Sequence, residues 1–109
     1  MTPERALKAK IRKHLLSLGA YVYAPVPNGM GGACLDIIAC VPVVSIRDAI
    51  SEMIMPRTAF ISIEVKTPGN KPTARQMATI DSIKSAGGIA FWCDSIERYL
   101  AVMATYGLV

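Results

Sequence analysis

The chain has 109 residues, of which 52% are hydrophobic and 18% charged, with a formal net charge of +4 and a pI near 9.2. That length accommodates one core and not two, and the apolar share excludes a chain left disordered for want of buriable surface. No apolar run approaches the ~20 residues that cross a bilayer, and the charged start lacks the apolar stretch of a secretory signal, so a single soluble, cytoplasmic domain over 1–109, with no membrane partner, is expected.

Thr2 and Pro3 open a helix, Thr2 as N-cap and Pro3 in the first turn, where its missing N–H is harmless. Leu7, Ile11, Leu15 and Leu18 recur at helical spacing until Gly19 ends the segment. Glu4 continues that stripe backward by one step, so a carboxylate starts the inward face; it either favours the positive end of the helix dipole or belongs to a site. Five basic residues (Arg5, Lys8, Lys10, Arg12, Lys13) make the helix cationic. Such a surface suits a polyphosphate partner, which releases counterions on binding, and equally describes a solvated face. His14 borders the stripe, where a packing or surface role is expected.

Residues 20–24 predict a strand, and Pro25 to Gly32, rich in proline and glycine, a loop. From Cys34 to Val44 the chain is almost continuously apolar except at Asp36, the pattern of a strand buried on both faces. Residues 45–55 are either a short helix or an irregular excursion, with Ile46, Ile50, Met53 and Ile54 on one side. Residues 59–66 form the next strand, with Ile61, Ile63 and Val65 on one face and Ser62, Glu64 and Lys66 on the other.

After a turn-rich loop from Thr67 to Pro72, Thr73 caps a helix running to about Ala86, with Gln76 at the capping-box position and Gly87-Gly88 as the stop. Residues 89–93 make a last strand, and a final helix over 95–105 turns Ile96, Tyr99, Leu100 and Met103 inward. The order α-β-β-(insert)-β-α-β-α predicts an α/β fold with helices flanking a sheet. Cys34, Cys40 and Cys93 include no Cys-x-x-Cys pair, and one histidine is too few to complete a zinc site. They read as small core residues in a reducing compartment.

Asp36 and Glu64 are each an acid in an otherwise apolar strand, a placement that costs several kcal/mol unless the charge is paired or bound to a metal. Two such acids in neighbouring strands imply a cation. Mg²⁺ fits, since it takes hard oxygen ligands and commonly combines one or two carboxylates with substrate phosphate oxygens. Lys66, two residues from Glu64 on the same face, is placed to orient an attacking water and stabilise charge on a phosphoryl group.

Gly32-Ala33-Cys34-Leu35-Asp36 followed by Glu64-Val65-Lys66 resembles the core motif of PD-(D/E)xK nucleases. Glu4 in the first helix, and Gln76 within Ala74-Arg75-Gln76 after the Glu-x-Lys strand, are similar to the VRR-NUC branch of that superfamily. The likeness runs from Glu4 to Gly87. Leu35 stands where the family usually has proline, and the apolar excursion at 45–56 is not matched by the resemblance. The resemblance implies a restriction-endonuclease-like core with a mixed central sheet. It assigns Asp36, Glu64 and the Val65 carbonyl to a Mg²⁺ ion that Mn²⁺ would replace, Lys66 to the attacking water, and Glu4 and Gln76 to supporting roles. Gln76 is equally explained as the capping-box partner of Thr73.

The activity implied is hydrolysis of DNA phosphodiesters, at branched or four-way (Holliday) junctions, by a homodimer of bacterial or phage origin. Candidate nucleic-acid contacts are Arg5, Lys8 and Arg12 on the first helix and Lys71 and Arg75 beyond the Glu-x-Lys strand. Ile50, Met53 and Ile54 are either a symmetric interface or part of the domain's own core. The rival reading is a non-catalytic nucleic-acid-binding module built on the basic helix. A third is a small assembly protein with a buried Glu64–Lys66 ion pair.

Overall fold

The computed structural model describes residues 2–25, 34–43 and 58–109. The segment expected at 45–55, with Ile50, Met53 and Ile54, lies outside the described residues, as do Gly32, Ala33 and most of the loop after Pro25. Helix α1 (Pro3–Ser17) is capped by Thr2, whose hydroxyl accepts the Arg5 N–H at 3.2 Å. It stops at Leu18, and Gly19 follows with φ +81°, a left-handed conformation that glycine adopts without steric cost.

Strands β1 (Tyr21–Tyr23), β2 (Ile37–Pro42), β3 (Thr58–Val65) and β4 (Ile89–Cys93) form a mixed sheet in the order β1-β2-β3-β4. The first two pairings are antiparallel and β3–β4 is parallel. A parallel pair needs a crossover, which is supplied by helix α2 (Ala74–Ser85); helix α3 (Ile96–Thr105) follows β4. The capping box on α2 is complete: Thr73 Oγ1 accepts the Gln76 N–H at 3.1 Å, and Gln76 Oε1 accepts the Thr73 N–H at 2.9 Å.

Alternation along the strands sends side chains to two cores. Ile37, Ala39 and Val41 of β2, Ile61, Ile63 and Val65 of β3, and Cys93 of β4 pack with Ile11 and Leu15 of α1 and Tyr99 and Met103 of α3. On the opposite face Leu35, Ile80 of α2 and Ala90 form a smaller cluster, with Ile83 and Trp92 against it. The sheet is thus sandwiched between α1 and α3 on one side and α2 on the other. His14 packs here as expected of it: its Nδ1 lies 2.8 Å from the Tyr99 hydroxyl, and the rings meet edge to face. Burial pushes the Tyr99 hydroxyl pKa up. Among the described residues, no helix is long and apolar enough to cross a membrane.

Three expectations need correction. The strand predicted over 34–44 is shorter and buried on one face only: Ile37, Ala39 and Val41 point inward while Cys40 and Pro42 are exposed. Among the described residues α2 rests on β3 and β4, and no helix covers the other face of β2. Cys40, on that face, is no core residue, and Cys34 is exposed too; of the three thiols only Cys93 is buried. Leu100 is 37% exposed. It follows Tyr99 by one position, and a step of ~100° around a helix carries it off the face that Tyr99 and Met103 bury.

Candidate active site

The site arises where β2 starts and β3 ends. The register pairs Ile37, the first residue of β2, with Ile63, so Val65 lies past the last pairing with β2. Asp36, just ahead of β2, satisfies the backbone there: its Oδ2 accepts the Val65 N–H at 2.8 Å. Within a strand a residue's N–H and C=O project to the same side, so the Val65 carbonyl also opens toward Asp36. Asp36 therefore precedes the strand instead of sitting inside it, and its carboxylate stands in for the missing ladder partner.

Glu64 alternates to the face that α2 covers, and its side chain is only 5% exposed. Two groups hold one oxygen of it. Gln76 Nε2 donates to Glu64 Oε2 at 3.1 Å, and the Lys66 ammonium lies 3.3 Å from the same atom. Asp36 lies near enough to Glu64 to act on its ionisation. Burial first, and then the neighbouring Asp36 carboxyl, push the Glu64 pKa up to about 7 against the opposing pull of Lys66. Lys66 reaches the surface and lines a groove of about 350 Å³ with Lys10, Thr67, Asp94 and Ser95.

Two neighbouring carboxylates, one disposed to take up a proton because burial and the adjacent acid disfavour its charge, are a donor set that suits a divalent cation. Among the described residues no three His, Cys, Asp or Glu side chains come together as a metal-binding group. A cation here would take the two carboxylates and complete its shell from the Val65 carbonyl, water and substrate oxygens. That composition matches Mg²⁺, which keeps several waters, and does not match zinc, which prefers nitrogen and sulfur.

Helix α1 adds a third acid and a second ammonium. Lys8 Nζ lies 3.0 Å from Asp36 Oδ1 and 3.6 Å from Glu4 Oε1. Burial alone would lower the Lys8 pKa, but the hydrogen bond and charge of Asp36, followed by those of Glu4, raise it. Glu4, a candidate from its place on the helix stripe, is thus linked to Asp36 through Lys8. The sequence places Lys8 among the candidate nucleic-acid contacts and does not reveal its engagement with the carboxylates. The Glu4–Lys8 spacing of four residues was the signal available. Gln76 closes the capping box with its carbonyl oxygen and donates its amide nitrogen to Glu64. Arg5, Arg12, Lys71 and Arg75 are exposed. Arg5 and Arg12 lie on α1, and Lys71 and Arg75 flank the start of α2.

No family model matches the sequence, and no curated protein does. A solved structure of a VRR_NUC domain superposes on the chain with a TM-score of 0.74 at 17% identity, covering 97% of this chain and 99% of the other. The chain has the fold of that domain, an α/β fold of the restriction-endonuclease-like kind, over nearly its whole length.

Proposed function

We propose that the chain is a nuclease that hydrolyses DNA phosphodiester bonds with Mg²⁺, or Mn²⁺ in its place, and acts on branched or four-way DNA as a homodimer. The observation that carries this reading is the convergence of Asp36 and Glu64 at one end of the sheet, with the Lys66 ammonium 3.3 Å from Glu64. The shared fold with a VRR_NUC domain supports it.

Asp36, Glu64 and the Val65 carbonyl would hold the metal. When bound, a divalent ion supplies Lewis-acid activation of the phosphoryl group and offsets the charge of the paired acids. Lys66 would orient the attacking water and stabilise negative charge growing on the phosphoryl oxygens. Gln76 fixes the orientation of Glu64, so the carboxylate need not be ordered at the moment of reaction. The exposed Arg5, Arg12, Lys71 and Arg75 would bind backbone phosphates.

Selectivity for branched DNA and the dimer belong together: cutting two strands of a junction requires two sites, and one chain has one. The test is cleavage of labelled duplex, single-stranded, flapped and four-way DNA with and without Mg²⁺, alongside light scattering. Preferential metal-dependent cutting of the branched DNAs by a dimer supports the reading. DNA binding without cleavage would instead assign the chain to the non-catalytic class.

A further inference from the structure

Each acid of the pair has its own ammonium, and the two come from different elements. Lys66 belongs to the segment that follows Glu64, whereas Lys8 reaches in from α1 to lie 3.0 Å from Asp36 Oδ1. Asp36 Oδ2 is already committed to the Val65 N–H. Oδ1 is therefore the oxygen with which Asp36 would meet a metal, and Lys8 sits on it. The ammonium also has a second berth, the Glu4 carboxylate at 3.6 Å, one helical turn back. The Lys8 and Glu4 side chains are 33% and 39% exposed, so the ammonium has room to shift between the two acids.

We infer that Lys8 is an internal counter-ion of the metal site: it neutralises Asp36 in the metal-free protein and is displaced toward Glu4 when a divalent cation takes Asp36 Oδ1. This rests on the reading of Asp36 and Glu64 as metal ligands. Lys8 is on this account a positioning residue that sets metal affinity, and Glu4 is where its charge goes. The arrangement keeps Asp36 charge-balanced and oriented before metal arrives, at the cost of a competitor that the metal must displace.

The test is Mn²⁺ titration calorimetry on the full chain, with melting curves in the absence of metal and at saturating Mn²⁺. Lys8→Met removes the competitor and should bind Mn²⁺ tighter by about three- to tenfold, a range kept modest by the partial exposure of the pair. Lys8→Arg supplies a competitor with a bidentate fit to carboxylate and should bind Mn²⁺ more weakly than wild type. Lys13→Met, an equal charge change on the exposed side of α1, should leave affinity unchanged. Lys8→Met should melt below wild type without metal, and the gap should narrow at saturating Mn²⁺.

Wild type that binds Mn²⁺ while Lys8→Met binds it equally or more weakly overturns the counter-ion role and leaves the metal site standing. A Lys13→Met effect equal to that of Lys8→Met reduces the result to general charge and also overturns it. Wild type that binds no Mn²⁺ overturns the metal site, and the role of Lys8 with it. If Lys8→Met fails to fold, Lys8→Arg decides by the direction of its change.

Discussion

Gln76 holds Glu64 with one end of its amide and the start of its own helix with the other: Nε2 donates to Glu64 Oε2 at 3.1 Å while Oε1 accepts the Thr73 N–H at 2.9 Å. The same residue therefore starts α2 and orients a buried acid, and suitable variants separate the two tasks. Gln76→Glu retains an acceptor for the cap but replaces the donor to Glu64 with a like charge. Gln76→Ala loses both and should cost about 1 kcal/mol of stability. Gln76→Glu should weaken Mn²⁺ binding or cleavage more than its change in unfolding free energy accounts for. Equal effects of the two variants on stability and on metal binding would show that Gln76 serves the helix alone.

The second prediction concerns pH. In the folded metal-free protein the Glu64 pKa is pushed from 4.5 up to about 7, by burial first and then by Asp36. Between those values the folded state holds a proton that the unfolded chain has released, so stability falls as pH rises through this window and levels off above it. The size is on the order of 2 kcal/mol for one nearly buried group. Glu64→Gln resembles the protonated acid and should remove this slope. Denaturant unfolding in a chelator at about pH 5 and about pH 7.5 measures it. A slope of the same size in the variant would place its source elsewhere. A divalent cation competes with the same proton, so Mn²⁺ binding near pH 6 should release protons, seen as a buffer-dependent enthalpy.

Thiol accessibility gives a third. Cys34 and Cys40 are exposed and Cys93 is buried, its pKa pushed up to about 12, first of all by desolvation. A thiol reagent at neutral pH should modify two cysteines quickly and the third only as the protein unfolds. Rapid reaction of all three would contradict the packing of β4 between α2 and α3.

A fourth concerns the nucleic-acid contacts. Arg5→Ala and Lys71→Ala remove exposed charges and should weaken DNA binding similarly for all sequences, each lowering the salt slope by about one. Lys8→Met should leave that slope nearly unchanged, since its ammonium is engaged with Asp36 and Glu4.

Much of the fold was legible because periodicity and punctuation agreed. Thr2, Gly19 and Thr73 mark helix ends by their own chemistry, and β4 falls on 89–93 as expected. Facing of the β3 residues followed from strict alternation. Burial of β2 was misjudged because an apolar run does not reveal which faces receive a helix; among the described residues α2 packs on the neighbouring strands and Cys40 is exposed. At the site, Asp36 and Glu64 stood out as acids in apolar surroundings. Lys8 did not, because a lysine in a basic helix carries no mark of its partner, and Asp36 is 28 residues away in sequence. Long-range pairing of that kind depends on how α1 lies across the sheet.

The central claim is that Asp36 and Glu64, with Lys66 beside them, form a metal-dependent site that cuts DNA. The direct measurement is the cleavage rate of a labelled four-way DNA in Mg²⁺, for wild type, Asp36→Asn, Glu64→Gln and Lys66→Met, each first shown to be folded. Wild type should cut, stop on chelation and resume with added metal, and each substitution should lower the rate by on the order of 10³-fold or more. Cleavage that persists in the chelator, or at wild-type rate in folded Asp36→Asn and Lys66→Met, would contradict the claim.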